Sequence, residues 1–241
     1  DYVPCFTTSG APMGPEGVKD ARRLVDEGWP AIRFGWGAHD TGGDELLFEP
    51  RESIALTAEW MIKVREAVGP GPVLGLEYHH RLSVAEAASF CQRLPAGTLD
   101  FIEDPLHEGT PSAYRALRQM TEIPFAVGEV FTDKWDWLPF IEGDLINLAR
   151  IDIATVGGFT EAMKVAAMCE AHYIDMMPHL AISPIQTATI IHFAAAVPNF
   201  AWMEDRHRDA WALIQGKESS YVPPDSEMYP VHLQPDGVRW P

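Results

Sequence analysis

The sequence predicts an α/β fold, a (β/α)7β TIM-like barrel, and three observations lead there. Short apolar runs of strand length alternate without a break with amphipathic helical segments, the pattern of parallel strands joined by crossover helices. Eight such runs follow in one series, which suits a closed ring better than an open doubly wound sheet. A glutamate recurs every 26 residues at the ends of the third, fourth and fifth runs, one βα module apart each time. The length of 241 residues fits one barrel built as a single unit.

The strand runs are residues 3–7, 31–34, 73–77, 101–103, 125–127, 145–151, 173–176 and 200–203. Between them lie helical segments. Residues 16–27 put Val18, Ala21, Leu24 and Val25 on one face, with Gly28 ending the helix. Residues 83–94 open with a capping box, Ser83 to Glu86, and then place Val84, Ala87, Ala88, Cys91 and Leu94 at helical spacing. Residues 51–68, 111–120, 134–142, 159–171 and 184–196 complete the set. The barrel is expected over residues 1–210. The tail, 211–241, is rich in proline and turn residues and is expected to wrap over another surface.

Composition excludes several classes. Eighteen basic against 35 acidic side chains give a net charge of −17, which leaves no basic stripe for nucleic acid. The longest apolar stretches are broken by His192 and Pro198, so no membrane span is expected. Three widely spaced cysteines, Cys5, Cys91 and Cys169, make neither a disulfide framework nor a zinc ribbon, and a reducing, cytoplasmic setting is expected. The stretch Gly35-Trp36-Gly37-Ala38-His39-Asp40 lacks the third glycine of a dinucleotide fingerprint. A nucleophile elbow, a CxxC pair and a phosphate loop are absent from the sequence.

Strand ends carry the chemistry of such a barrel. Glu77 (GLEYHHRL), Glu103 (FIEDP) and Glu129 (FAVGEVF) would aim three carboxylates at one point. An all-oxygen set suits a hard cation, Mg²⁺ first, with Mn²⁺ able to substitute. Asp152 follows the sixth run and His179 the seventh, 27 residues on, so the carboxylate and imidazole are expected side by side as a catalytic pair. Glu204 closes the eighth run and is expected to point into the same mouth. His79, two residues past Glu77 in an extended chain, would face the cavity as a second acid/base group, with His80 turned away. Arg81 has two readings, a contact to an anionic substrate or a solvated loop residue.

These residues resemble the enolase superfamily, specifically the acid-sugar dehydratases of its mandelate racemase-like branch. The resemblance runs over residues 3–205. It rests on E-x-HHR-L at 77–82, IEDP at 102–105, VGE at 127–129, the Asp152 segment with its GG at 157–158, and PH at 178–179. It implies Mg²⁺ on Glu77, Glu103 and Glu129, an Asp152–His179 dyad, Glu204 as a donor to the enediolate oxygen, and His79 as the dehydratase histidine. Two departures stand out: Glu77 replaces a common Asp, and Arg33 and Gly35 stand in the stretch where many members carry lysines.

The activity implied is removal of water from a sugar acid to give a 2-keto-3-deoxy acid. Alternatives are a racemase or epimerase of the same superfamily, a catalytically silent homologue with a binding or structural role, and an unrelated metal-dependent sugar isomerase. The resemblance also implies an N-terminal capping domain absent from this chain, on which the tail would pack, and a homo-oligomeric full-length protein. The chain alone is then expected to be poorly active.

Overall fold

The structure, a computed structural model, describes residues 2–37, 39–40, 46–180, 184–205, 232–234 and 237–239. Eight parallel strands form its centre: β1 (Cys5–Thr8), β2 (Ala31–Gly35), β3 (Val73–Glu77), β4 (Phe101–Glu103), β5 (Phe125–Val127), β6 (Leu148–Ala149), β7 (Asp175–Met176) and β8 (Met203–Asp205). Each pairs with the next in the chain from β1 to β7, and β8 returns to pair with β1, Met203 opposite Cys5. The remaining gap is bridged by Met176 and Phe200, where Met176 N–H donates to Asn199 O at 2.6 Å and Ala201 N–H to Met176 O at 2.9 Å. The ring is closed, as the unbroken alternation predicts.

Helices α1 (Pro15–Asp26), α2 (Pro50–Val68), α3 (Val84–Gln92), α4 (Pro111–Arg118), α5 (Lys134–Glu142), α6 (Phe159–Ala171) and α7 (Pro184–Ala196) connect the strands. Proline opens α1, α2 and α4, where its missing N–H costs nothing and its fixed φ favours the first turn. The Ser83–Glu86 capping box forms in both directions: Glu86 N–H donates to Ser83 Oγ at 3.3 Å and Ser83 N–H to Glu86 Oε2 at 2.8 Å.

Strand limits differ from expectation after β5. Leu145, Ile146 and Ile151 are buried yet lie outside the β6 ladder. Apolar character reports burial, whereas ladder membership depends on where the neighbouring backbone runs alongside. For the same reason the eighth strand is Met203–Asp205 and only Phe200 of the earlier run pairs. Of the expected tail, residues 232–234 and 237–239 form two short strands, with Val238 and Arg239 antiparallel to Tyr2 and Val3. Residues 211–231 lie outside the described residues.

The lower barrel interior is apolar, filled by Phe6, Ala31, Phe101, Ala126 and Met177. Gly75 is required there: a Cβ on it would lie 2.0 Å from Phe101 Cζ. The larger core, with Met61, Phe90, Tyr114, Trp137 and Phe140, fills the space between strands and helices. Above the apolar floor begins a charged layer, with the guanidinium carbons of Arg33 and Arg150 at 5.5 and 5.4 Å from the Phe6 ring centroid. No helix among the described residues is long and apolar enough to cross a membrane.

Candidate active site and metal centre

Glu77 and Glu103 end adjacent strands and are direct register partners. Glu129 stands two residues past β5, after Gly128. That glycine has φ 124°, and a Cβ on it would meet Trp137 Cη2 at 2.3 Å, so the turn delivering Glu129 requires glycine. The three glutamates bring ligand oxygens within 4.8 Å of one another. The three carboxylates thus converge, as the strand-end spacing predicts.

Two arginines that the sequence reading left without a role complete the layer. Arg33 donates through Nη1 to Glu103 Oε1 at 2.8 Å and through Nη2 to Glu204 Oε1 at 2.9 Å, with Glu77 Oε2 3.4 Å from Nη2. Arg150 donates through Nε to Glu103 Oε1 at 2.8 Å and through Nη2 to Glu204 Oε2 at 2.5 Å, and its Nη1 caps the Met177 and Pro178 carbonyls. Both arginines are fully buried. An arginine inside an apolar strand run, at an inward phase, was the available signal.

This layer sets four carboxylates (Glu77, Glu103, Glu129, Glu204) against the two guanidiniums and the charged His80 beside Glu129, so the acids outnumber the cations. Glu103 Oε2 is buried without a hydrogen-bond partner. Burial, then the Glu103 charge, lifts Glu77 to about 7 against the pull of Arg33. A divalent cation with oxygen ligands would satisfy all three observations, so the residues fit Mg²⁺ despite the longer Glu77 side chain.

Asp152 and His179 meet as the sequence predicts, with His179 Nδ1 2.9 Å from Asp152 Oδ2. Asp152 also accepts from the backbone N–H groups of Ala154 and Thr155 and from Gln186 Nε2 at 2.8 Å; Gln186 went unnoticed in the sequence. Burial works to raise the Asp152 pKa, but these bonds, led by that from His179, bring it down to about 2. Bonded through Nδ1, His179 turns Nε2 toward Glu129 Oε2, 3.6 Å away.

The histidine pair departs from expectation. His79 and His80 have φ of 50° and 64°, so the chain is left-handed there and strand alternation does not apply. Both rings consequently reach Glu129: His79 Nε2 lies 3.3 Å and His80 Nε2 3.2 Å from its Oε1. His80 is not turned away; its Nδ1 is also 2.8 Å from Glu108 Oε1. Burial would lower the His80 pKa, but the bonds to Glu108 and Glu129 lift it to about 10, making it the cation of the pair. Burial lowers the His79 pKa despite the Glu129 charge. Arg81 Nη1 lies 3.0 Å from His79 Nδ1 and 2.8 Å from its carbonyl oxygen, which assigns the Nδ1 lone pair to Arg81 and the Nε2–H to Glu129. The Arg81 guanidinium stacks over Trp36 at 4.9 Å, so this exposed side chain is anchored on an aromatic ring.

Glu204 is fully buried, and its oxygens accept from Arg33, Arg150 and the Leu180 N–H. It thus stands beneath the mouth as an acceptor, which differs from the expected role as a protonated donor. Glu129 is drawn down to about 2, because the His80 bond and the charges of His179 and Arg150 outweigh burial. Asp104, also fully buried, lies well above the usual carboxylate range through burial and the charges of Glu108 and Glu103.

The profile of the enolase C-terminal domain-like family matches residues 16–234. The chain is 31% identical over 208 residues to a D-mannonate dehydratase of Caulobacter sp. (strain K31), covering 78% of this chain and 52% of that protein. It is 28% identical over 194 residues to a D-gluconate dehydratase of Thermoproteus tenax, covering 80% and 38% respectively. Among solved structures, a mandelate racemase/muconate lactonizing enzyme-like protein from Roseovarius sp. TM1035 superposes with a TM-score of 0.79 at 24% identity, covering 98% of this chain and 59% of that one. An enolase superfamily member from Salmonella Typhimurium gives 0.79 at 23% identity, covering 86% and 57%. The chain spans about half the length of the curated relatives it matches.

Proposed function

The chain belongs to the enolase C-terminal domain-like family, and from that premise we propose that it is the catalytic barrel of a dehydratase acting on a sugar acid. The observation that carries the reading is the meeting on Glu129 of two imidazoles, one at each carboxylate oxygen. His79 Nε2 faces one carboxylate oxygen and His179 Nε2 the other, above the three-glutamate cluster. Glu77, Glu103 and Glu129 would hold Mg²⁺ (or Mn²⁺), which when bound supplies Lewis-acid stabilisation for the charge left by a departing α-proton. Asp152 fixes His179 through Nδ1 and leaves Nε2 to take that proton, a contribution typically worth about 10²–10⁴-fold. His79, with its Nδ1 held by Arg81, presents its Nε2–H as the proton donor to the departing 3-hydroxyl. Glu204 serves the site from below by fixing Arg33 and Arg150.

The family-model match and the relatives named as mannonate and gluconate dehydratases support this reaction class. The three cysteines are buried and widely spaced in the chain, which accords with a cytoplasmic setting. The capping partner of the 211–241 tail and a homo-oligomeric state belong to the same reading. The test is Mg²⁺-dependent formation of 2-keto-3-deoxy product across a library of aldonic and uronic acids. His179→Asn is expected to lose product and solvent deuterium exchange at the α-carbon together; full turnover in that variant would overturn the base assignment. A second reading, a racemase or epimerase, is favoured by the lowered pKa of His79, which suits a second base. It predicts α-deuterium exchange with no keto product.

A further inference from the structure

We propose that the chain carries a second divalent-cation site, made by His80, Asp104 and Glu108 and selective for a first-row transition ion. The three residues bring donor atoms within 4.8 Å of one another. Asp104 is fully buried with neither carboxylate oxygen hydrogen-bonded, and Glu108, 3% exposed, meets His80 Nδ1 at 2.8 Å through Oε1 while its Oε2 lacks a partner. A carboxylate group enclosed in this way needs a donor or a cation.

His80 supplies the directionality. Its Nε2 lies 3.2 Å from Glu129 Oε1 and its Nδ1 2.8 Å from Glu108 Oε1. With Nε2–H donating to Glu129, an ion would take the place of the Nδ1 proton that now bridges to Glu108, so that the Nδ1 lone pair, Asp104 and Glu108 face it together. A metal-bound imidazole characteristically donates its other N–H to a carboxylate in this manner. Neighbouring donors on an octahedral ion, each about 2.1 Å from it, lie about 3 Å apart, which suits the spacing of Nδ1 and Glu108 Oε1. A cavity of about 340 Å³, bordered by His107, Glu108, Val130, Phe131 and Trp135, gives an ion a way in beside Glu108.

The two sites differ in chemistry. The glutamate cluster offers oxygen alone and suits Mg²⁺, whereas one imidazole with two carboxylates favours Mn²⁺, Co²⁺ or Zn²⁺. They also touch, because His80 would ligate the second ion while fixing Glu129 of the first cluster. An ion at the second site therefore positions Glu129.

The experiment titrates the whole chain with Co²⁺ in the presence of saturating Mg²⁺, followed by calorimetry and visible absorption. One equivalent of Co²⁺ that Mg²⁺ does not displace is expected. Glu108→Gln should weaken it roughly tenfold or more, while Glu77→Gln leaves it in place. No Co²⁺ bound above Mg²⁺ saturation, or an unchanged equivalent in Glu108→Gln, overturns the proposal. X-ray absorption on the unmutated chain makes the test independent of variant folding: an imidazole nitrogen in the shell supports the site, and an oxygen-only shell overturns it. Because Glu77→Gln disables the glutamate cluster alone, failure of that cluster to bind Mg²⁺ and failure of this site are read separately.

Discussion

Removing Arg150 would leave Glu103 and Glu204, both fully buried, without a guanidinium that each accepts from. Breaking a buried ion pair by deleting one partner costs about 3–5 kcal/mol, so Arg150→Met is expected to lose that much stability in urea unfolding. Glu77 gives a pH dependence of definite sign. Its metal-free pKa of about 7 lies above the ordinary value of 4.5, so the favourable protonated state is complete at low pH. Stability of the EDTA-treated protein should accordingly fall as pH rises from about 4.5 through 7. Mg²⁺ should reverse that loss at pH 8 and bind more weakly as protons return below pH 7, which thermal unfolding with and without the ion measures. Asp152 and Glu129, both near 2, act in the opposite sense and only in acid, where their stabilisation is lost as pH falls toward 2.

At the scale of elements, β3 and β4 fit together because Phe101 fills the space a side chain at position 75 would need. Gly75→Ala is expected to cost about 1–3 kcal/mol by overpacking, read as a lower denaturation midpoint with the barrel circular dichroism retained. The sequence made β3, β4 and α3 plain, since their apolar spacing and the Ser83–Glu86 box are local signals. It also located Glu77, Glu103, Glu129, Asp152 and His179, because one βα module places each strand end at the same height. His80 was misjudged because two successive left-handed residues cancel strand alternation, and non-glycine residues carry no composition cue for that conformation. Arg33 and Arg150 acquire meaning from partners far off in the chain, 70 and 47 residues away at Glu103 and 171 and 54 away at Glu204, separations that no local pattern encodes.

Taken whole, the molecule is a ring whose strands are joined by ladders at seven places and by one isolated bridge at the eighth, between Met176 and Phe200. That bridge works as a hasp. Amides held by it, Met176 and Ala201, should exchange with deuterium sooner than those of β3 and β4, because the fewest backbone bonds must break to free them. β8 hangs on the same side of the hasp and carries Glu204, the acceptor that Arg33 and Arg150 share. Springing the hasp would thus unfasten the charged layer before the apolar floor beneath it is wetted. Loss of ion binding would then precede loss of the fold on heating, as two separable events.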